Sequence, residues 1–178
     1  MRTTLLLFLL IPSLLSAQEL PYNNSGMAVY ERILDYPGQS KDDLHKYSRK
    51  WVDDIFVQSS EVIQSENLVD GELMGKGYSE SNLTHVIRIS MIPNEYIGYK
   101  FSISSRDDKV RLRFYSVELA DEYLNGIAIE AIDRSYRNKK SQKTIDAWVH
   151  RVGEINAVFD ALIDSYKSSV FKSIDDEF

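Results

Sequence analysis

Apolar positions recur every three to four residues in two stretches of the chain and every second residue in several others. The pattern predicts two amphipathic helices and a set of half-buried strands. In the first helical stretch Leu44, Tyr47, Trp51, Val52, Ile55 and Phe56 form one stripe, and Asp42, Lys46, Arg49, Lys50 and Asp53 occupy the other face. Ser40 can cap this helix, and Asp42 and Asp43 fall in its first turn, where the helix dipole favours negative charge. The second stretch, 144–173, carries Ile145, Trp148, Val149, Val152, Ile155, Val158, Phe159, Leu162, Ile163, Tyr166, Val170 and Phe171 on a wide apolar face.

Extended segments fill the interval between them. Residues 27–34 are rich in β-formers and are followed by a Pro37-Gly38 turn. Residues 61–69 and 73–78 flank Asp70-Gly71, a pair suited to a two-residue type I′ hairpin. Gly75 and Gly77 share one face of the return strand, where a missing side chain admits another backbone. Residues 84–92 alternate through Ile87, Ile89 and Met91. Ile97, Tyr99, Phe101 and Ile103 alternate with Gly98, Lys100, Ser102 and Ser104; beyond a turn at 105–109, Val110, Leu112 and Phe114 alternate with Arg111, Arg113 and Tyr115. Residues 118–143 are ambiguous: Asn125-Gly126 breaks the pattern, and a short helix or an extra strand followed by a loop both fit. The order β-α-β-β-β-β-α predicts an α+β two-layer domain, an antiparallel sheet with both main helices on one face.

The N-terminus reads as an address. Met1-Arg2-Thr3-Thr4 is a short basic start, residues 5–15 are apolar apart from Pro12 and Ser13, and Ser16-Ala17-Gln18 supplies small residues. A secretory signal peptide over 1–17, cut after Ala17, is expected; a short membrane anchor or a buried strand is the alternative reading. The apolar run is about half the roughly 20 residues a spanning helix needs. The expected mature chain comprises a mobile leader at 18–26, a sheet domain with the first helix at 27–117, an irregular connection at 118–143 and the long helix.

The 178 residues are 43% hydrophobic and 27% charged, with 21 Lys+Arg against 27 Asp+Glu and no cysteine. The balance is that of a globular chain, and the missing thiols exclude disulfides, a lipid-modified cysteine and Cys-based metal sites. An exported product, periplasmic or extracellular and not lipid-anchored, is the expectation.

The region from Val29 to Ser116 resembles exported bacterial domain-of-unknown-function family 4468, which has a TATA-binding-protein-like fold. The resemblance lies in Tyr36-Pro37-Gly38-Gln39-Ser40-Lys41-Asp42-Asp43-Leu44, in the helix aromatics Trp51 and Phe56, and in Val62-Ile63-Gln64. It continues in Gly71 with Gly75-Lys76-Gly77, in Phe101-Ser102-Ile103 and in Arg111-Leu112-Arg113-Phe114. The turn Arg106-Asp107-Asp108-Lys109 departs from it where a glycine is expected. The resemblance implies the fold and no catalytic residue.

Motifs for chemistry are sparse. His45, His85 and His150 share no ligand spacing, so no metal or other cofactor is expected. Ser169-Val170-Phe171-Lys172 and the Tyr136/Lys140 spacing match fragments of enzyme motifs without their companions. Asp107-Asp108 suits a turn, with a weak calcium site as the alternative. An acidic chain argues against nucleic acid as a partner. One surface stands out. If the alternating isoleucines and phenylalanines face the helices, the opposite face gathers Lys76, Arg88, Lys100, Arg111, Arg113 and Tyr115. Arginine pairs with carboxylate or phosphate in a fork, and tyrosine offers a flat face. The expected role is a non-enzymatic module binding a protein, envelope component or small anion there. The competing readings are a solvated face without function, a hydrolase with an unlocated carboxylate site, and a subunit forming a homodimer through the last helix.

Overall fold

In a computed structural model the described residues are 19–56, 59–80, 96–121, 123 and 125–176. The expected signal peptide, the strand at 84–92, His85 and Arg88 lie outside them. The elements are β1 (Tyr30–Asp35), α1 (Lys41–Ile55), α2 (Ser59–Val62), β2 (Ile63–Asn67), β3 (Glu72–Glu80), β4 (Tyr96–Arg106), β5 (Lys109–Ala120), β6 (Gly126–Ala128), α3 (Ile129–Arg137) and α4 (Gln142–Asp175). All strand pairs are antiparallel, in the order β1-β5-β4-β3-β2, and β6 pairs with the far end of β5 beyond β1. The architecture is the expected α+β one, with the helices packed on one face of an open sheet.

The alternation sorts the side chains. Leu73, Ile97, Tyr99, Phe101, Ile103, Val110, Leu112 and Phe114 are buried beneath the helices. Phe159 of α4 is their hub: its ring lies 4.0 Å from Tyr30, 5.4 Å from Phe114 and 5.5 Å from Tyr99. Trp51 of α1 meets Tyr166 of α4 edge-on at 5.2 Å, and Ser48 shares a 2.7 Å hydrogen bond with the Tyr166 hydroxyl. Most of the stripe of α4 is therefore buried against its own domain. Gly75 and Gly77 permit the layering. A Cβ on Gly75 would sit 2.4 Å from Phe101 and 2.6 Å from the Val62 carbonyl.

Three expectations are corrected, and one irregularity lies beyond the predicted alternation. The β2–β3 connection is not a two-residue type I′ turn, because only Gly71 takes a positive φ there (+67°); the Asn67 carboxamide accepts from the Val69 and Asp70 N–H groups and holds a longer loop. Residues 19–26 are not a free leader: Leu20 is buried, Tyr22 bridges to Ala28, and the Tyr22 hydroxyl donates to Asp133 at 2.7 Å. Residues 118–143 contain both alternatives, the end of β5 with β6 and then α3. Finally, β5 carries a register shift, with Ser116 at φ +51°, so inward parity moves from Phe114 to Val117 and Leu119 and Glu118 turns outward.

At the tip of the β4–β5 hairpin Asp108 occupies the left-handed position (φ +66°) where a glycine was expected. Its carboxylate accepts the Gly38 N–H at 2.7 Å, and Asp107 accepts the first N–H of α1, from Lys41, at 2.8 Å. The aspartate pair thus buckles the hairpin to the β1–α1 turn, which accounts for it without calcium.

Candidate functional site

On the sheet face away from the helices, side chains fall into cross-strand rows. One row runs Asn67, Glu72, Ser104, Arg111, Ile33; the next runs Met74, Ser102, Arg113, Glu31; a third runs Lys76, Lys100, Tyr115. The central strand contributes serines to the first two rows, while its neighbours contribute long side chains. Small residues flanked by large ones make a trough along β4. Its volume is about 370 Å³. Ser102 and Ser104 form the floor, Arg111, Arg113 and Tyr115 one wall, Glu72 and Met74 the other, and Arg106 and Asp70 close one end. A shallower depression of about 180 Å³ continues past Arg106 and Arg111 toward Ile33 and Lys109.

The charges in the trough are unequally spent. Arg113 Nε lies 2.9 Å from Glu31 Oε2, and its guanidinium stands 5.8 Å from the centre of the Tyr115 ring. Arg106 and Arg111 make no ion pair among the described residues. Glu72 likewise has no cationic partner there, whereas Asp70 is held by the Asn67 carboxamide at 2.6 Å. Neither floor serine donates its hydroxyl to any described group. Two free guanidiniums and two free hydroxyls therefore converge on one concavity, an arrangement suited to a carboxylate or phosphate.

Of the residues singled out in the sequence, Arg111, Arg113 and Tyr115 line the trough. Lys76 and Lys100 share the face but stand one row away. Lys76 is engaged by Glu118 at 3.4 Å and lies 4.9 Å over the Tyr78 ring. Lys100 is exposed. Arg106, Ser104, Met74, Glu72 and Asp70 were missed. Arg106 and Glu72 extend the parity of Lys100 and Lys76 by a few residues, and reading each strand slightly longer finds them.

A second cavity, of about 440 Å³, lies between the N-terminal segment and α3, lined by Tyr22, Glu130, Asp133, Arg134 and Arg137 among others. Its two carboxylates are committed. Glu130 accepts the Ala28 N–H at 2.7 Å; Asp133 accepts from Trp148 Nε1 at 2.6 Å, Tyr22 at 2.7 Å and Arg137 Nε at 2.8 Å. Burial disfavours the charge on Asp133, but these three donors outweigh it and hold the carboxyl below its ordinary range. A carboxylate so saturated is a structural knot and not a general base. His45 is also occupied, 3.0 Å from Glu66, which in turn receives Arg49 at 2.7 Å. Tyr136 is stacked on Trp148 at 5.2 Å. Among the described residues no three acidic or histidine side chains converge as metal ligands, and no helix is long and apolar enough to cross a membrane.

A single open antiparallel sheet with helices on one side is the arrangement of TATA-binding-protein-like domains. Residues 30–119 match the family model described as a domain of unknown function (DUF4468) with TBP-like fold, and the chain belongs to that family. Two crystal structures share the fold. A DUF4468 family protein from Bacteroides ovatus superposes with a TM-score of 0.62 at 12% identity, covering 85% of this chain and 90% of the other. A TBP-like protein from Parabacteroides distasonis gives 0.59 at 14% identity, covering 83% and 97%. No curated protein matches the chain.

Proposed function

We propose that this protein is a non-enzymatic binding module, acting outside the cytoplasm, whose trough takes an anionic group of a small ligand or partner. One observation carries the reading: Arg106 and Arg111, unpaired among the described residues, line a concavity floored by hydroxyls that are likewise unpartnered there, on an otherwise acidic protein. Leaving guanidiniums without partners costs the fold little at the surface and keeps their donors for a ligand. Placement outside the cytoplasm rests on the basic, apolar and small-residue order of residues 1–17.

Succinate and inorganic phosphate are suitable probes. In a nitrogen-15 NMR titration the backbone and arginine Nε signals of residues 102–115 shift saturably on addition of either anion. The Arg111→Ser/Arg113→Ser variant loses these shifts. Shifts that persist unchanged in that variant would place the anion elsewhere and end the proposal.

A further inference from the structure

The trough is not uniformly basic. Arg111 on β5 and Glu72 on β3 belong to the same cross-strand row, separated by Ser104 on β4. Two interstrand steps place their backbones about 10 Å apart. They form no ion pair with each other or with any other described side chain. Elsewhere on this face opposite charges do meet, as in Arg113–Glu31 at 2.9 Å and Lys76–Glu118 at 3.4 Å. The row containing Glu72 and Arg111 therefore differs from its neighbours: a free anion and a free cation face each other across a cavity, with a hydroxyl between them.

From this opposition we infer that the ligand is a zwitterion, an amino-acid derivative or short peptide whose carboxylate is taken by Arg111 with Arg106 and whose ammonium is taken by Glu72. The inference rests on the anion-binding reading above and narrows it. A dianion such as succinate is held by Arg106 and Arg111, but Glu72 and Asp70 beside it oppose its second charge and keep its binding weaker than that of a zwitterion. A zwitterion converts that repulsion into a second charge-assisted contact. The hydroxyls of Ser102 and Ser104 can serve the amide or polar groups between the two charged ends. A volume of about 370 Å³ accommodates a molecule of dipeptide size, at the small end of ordinary ligand pockets.

The test compares three probes by isothermal titration at low ionic strength: the dipeptide Ala-Ala, its N-acetyl form and its C-terminal amide. The zwitterion binds at least fivefold more tightly than either capped form. Glu72→Gln removes the advantage over the N-acetyl form while leaving binding of the N-acetyl form intact or improved. Arg111→Gln weakens both carboxylate-bearing forms about tenfold or more. Equal affinity of wild type for Ala-Ala and its N-acetyl form overturns the zwitterion inference and leaves the anion reading standing. Failure of both carboxylate-bearing probes and of succinate overturns the two together. Both substitutions are at exposed positions, so loss of fold does not cloud the result.

Discussion

Arg113 and Glu31 meet across the β1–β5 pair at 2.9 Å, one row away from Arg111, which has no such partner among the described residues. The two arginines look equivalent in the chain, two residues apart on one strand face, yet the edge strand neutralises only one of them. The free arginine is the one that lines both depressions. Glu31→Gln releases Arg113, and succinate binding then tightens by up to about fivefold, the range of a surface pair worth ~1 kcal/mol or less. Isothermal titration checks this; weaker binding in that variant would mean that Glu31 positions Arg113 for the ligand instead of competing with it.

The bond between Trp148 and Asp133 carries a stability prediction. Asp133 is 3% exposed and joins α3, α4 and the N-terminal segment through three donors. Asp133→Ala leaves the Trp148 N–H and the Arg137 guanidinium without their acceptor and costs roughly 3 kcal/mol at pH 7. The sign of its pH dependence is set by the lowered pKa. The ionised carboxylate stabilises the fold above the unfolded-state value, near pH 4, and that contribution is lost as pH falls through the lower folded-state value. Urea unfolding at pH 7 and at pH 3 therefore shows a smaller difference between wild type and variant in acid. An undiminished difference would mean that burial, and not charge, dominates.

Phe159 and Gly75 test the layering. Phe159 is fully buried against Tyr30, Tyr99 and Phe114, and Phe159→Ala costs about 3–5 kcal/mol. Gly75→Ala forces a methyl group into the Phe101 ring and the Val62 carbonyl and costs about 1–3 kcal/mol. Denaturant midpoints measure both. A Phe159→Ala protein of undiminished stability would show that α4 is not seated on this sheet.

The hairpin buckle links fold to site. Asp108 holds a left-handed backbone and accepts the Gly38 N–H at 2.7 Å, and Arg106 stands two residues before it. Asp108→Ala loses the hydrogen bond and strains the turn, for a cost of roughly 1–2 kcal/mol. Asp108→Gly relieves the strain and recovers part of the loss. Thermal melts that rank alanine above glycine would contradict the turn geometry.

What the chain made legible follows from period. Strict alternation through 97–103 and 110–114 placed Phe101, Ile103, Leu112 and Phe114 inside and Arg111, Arg113 and Tyr115 outside, because a pleated strand enforces parity. Parity failed where the backbone breaks it: Ser116 inserts a residue, and Glu118 emerges beside Lys76 with no trace in the local pattern. The Asp133 knot was hidden for another reason. Its partners Tyr22 and Trp148 are distant in sequence, and only packing brings them together. The trough itself was invisible because concavity depends on which row sets serine beside arginine, a matter of register across three strands rather than composition along one.

In the proposed role particular arginines, and not the general charge of the protein, hold an anion on the open face. Succinate titrated calorimetrically into wild type, Arg111→Gln and Lys50→Gln tests it most directly, because the two variants lose the same charge from opposite layers of the domain. Wild type is expected to bind saturably and one-to-one, Arg111→Gln to lose about tenfold or more, as befits a charge-assisted contact worth ~1.5–3 kcal/mol, and Lys50→Gln to change by less than about twofold. Equal weakening in the two variants, or no binding by wild type, would contradict it.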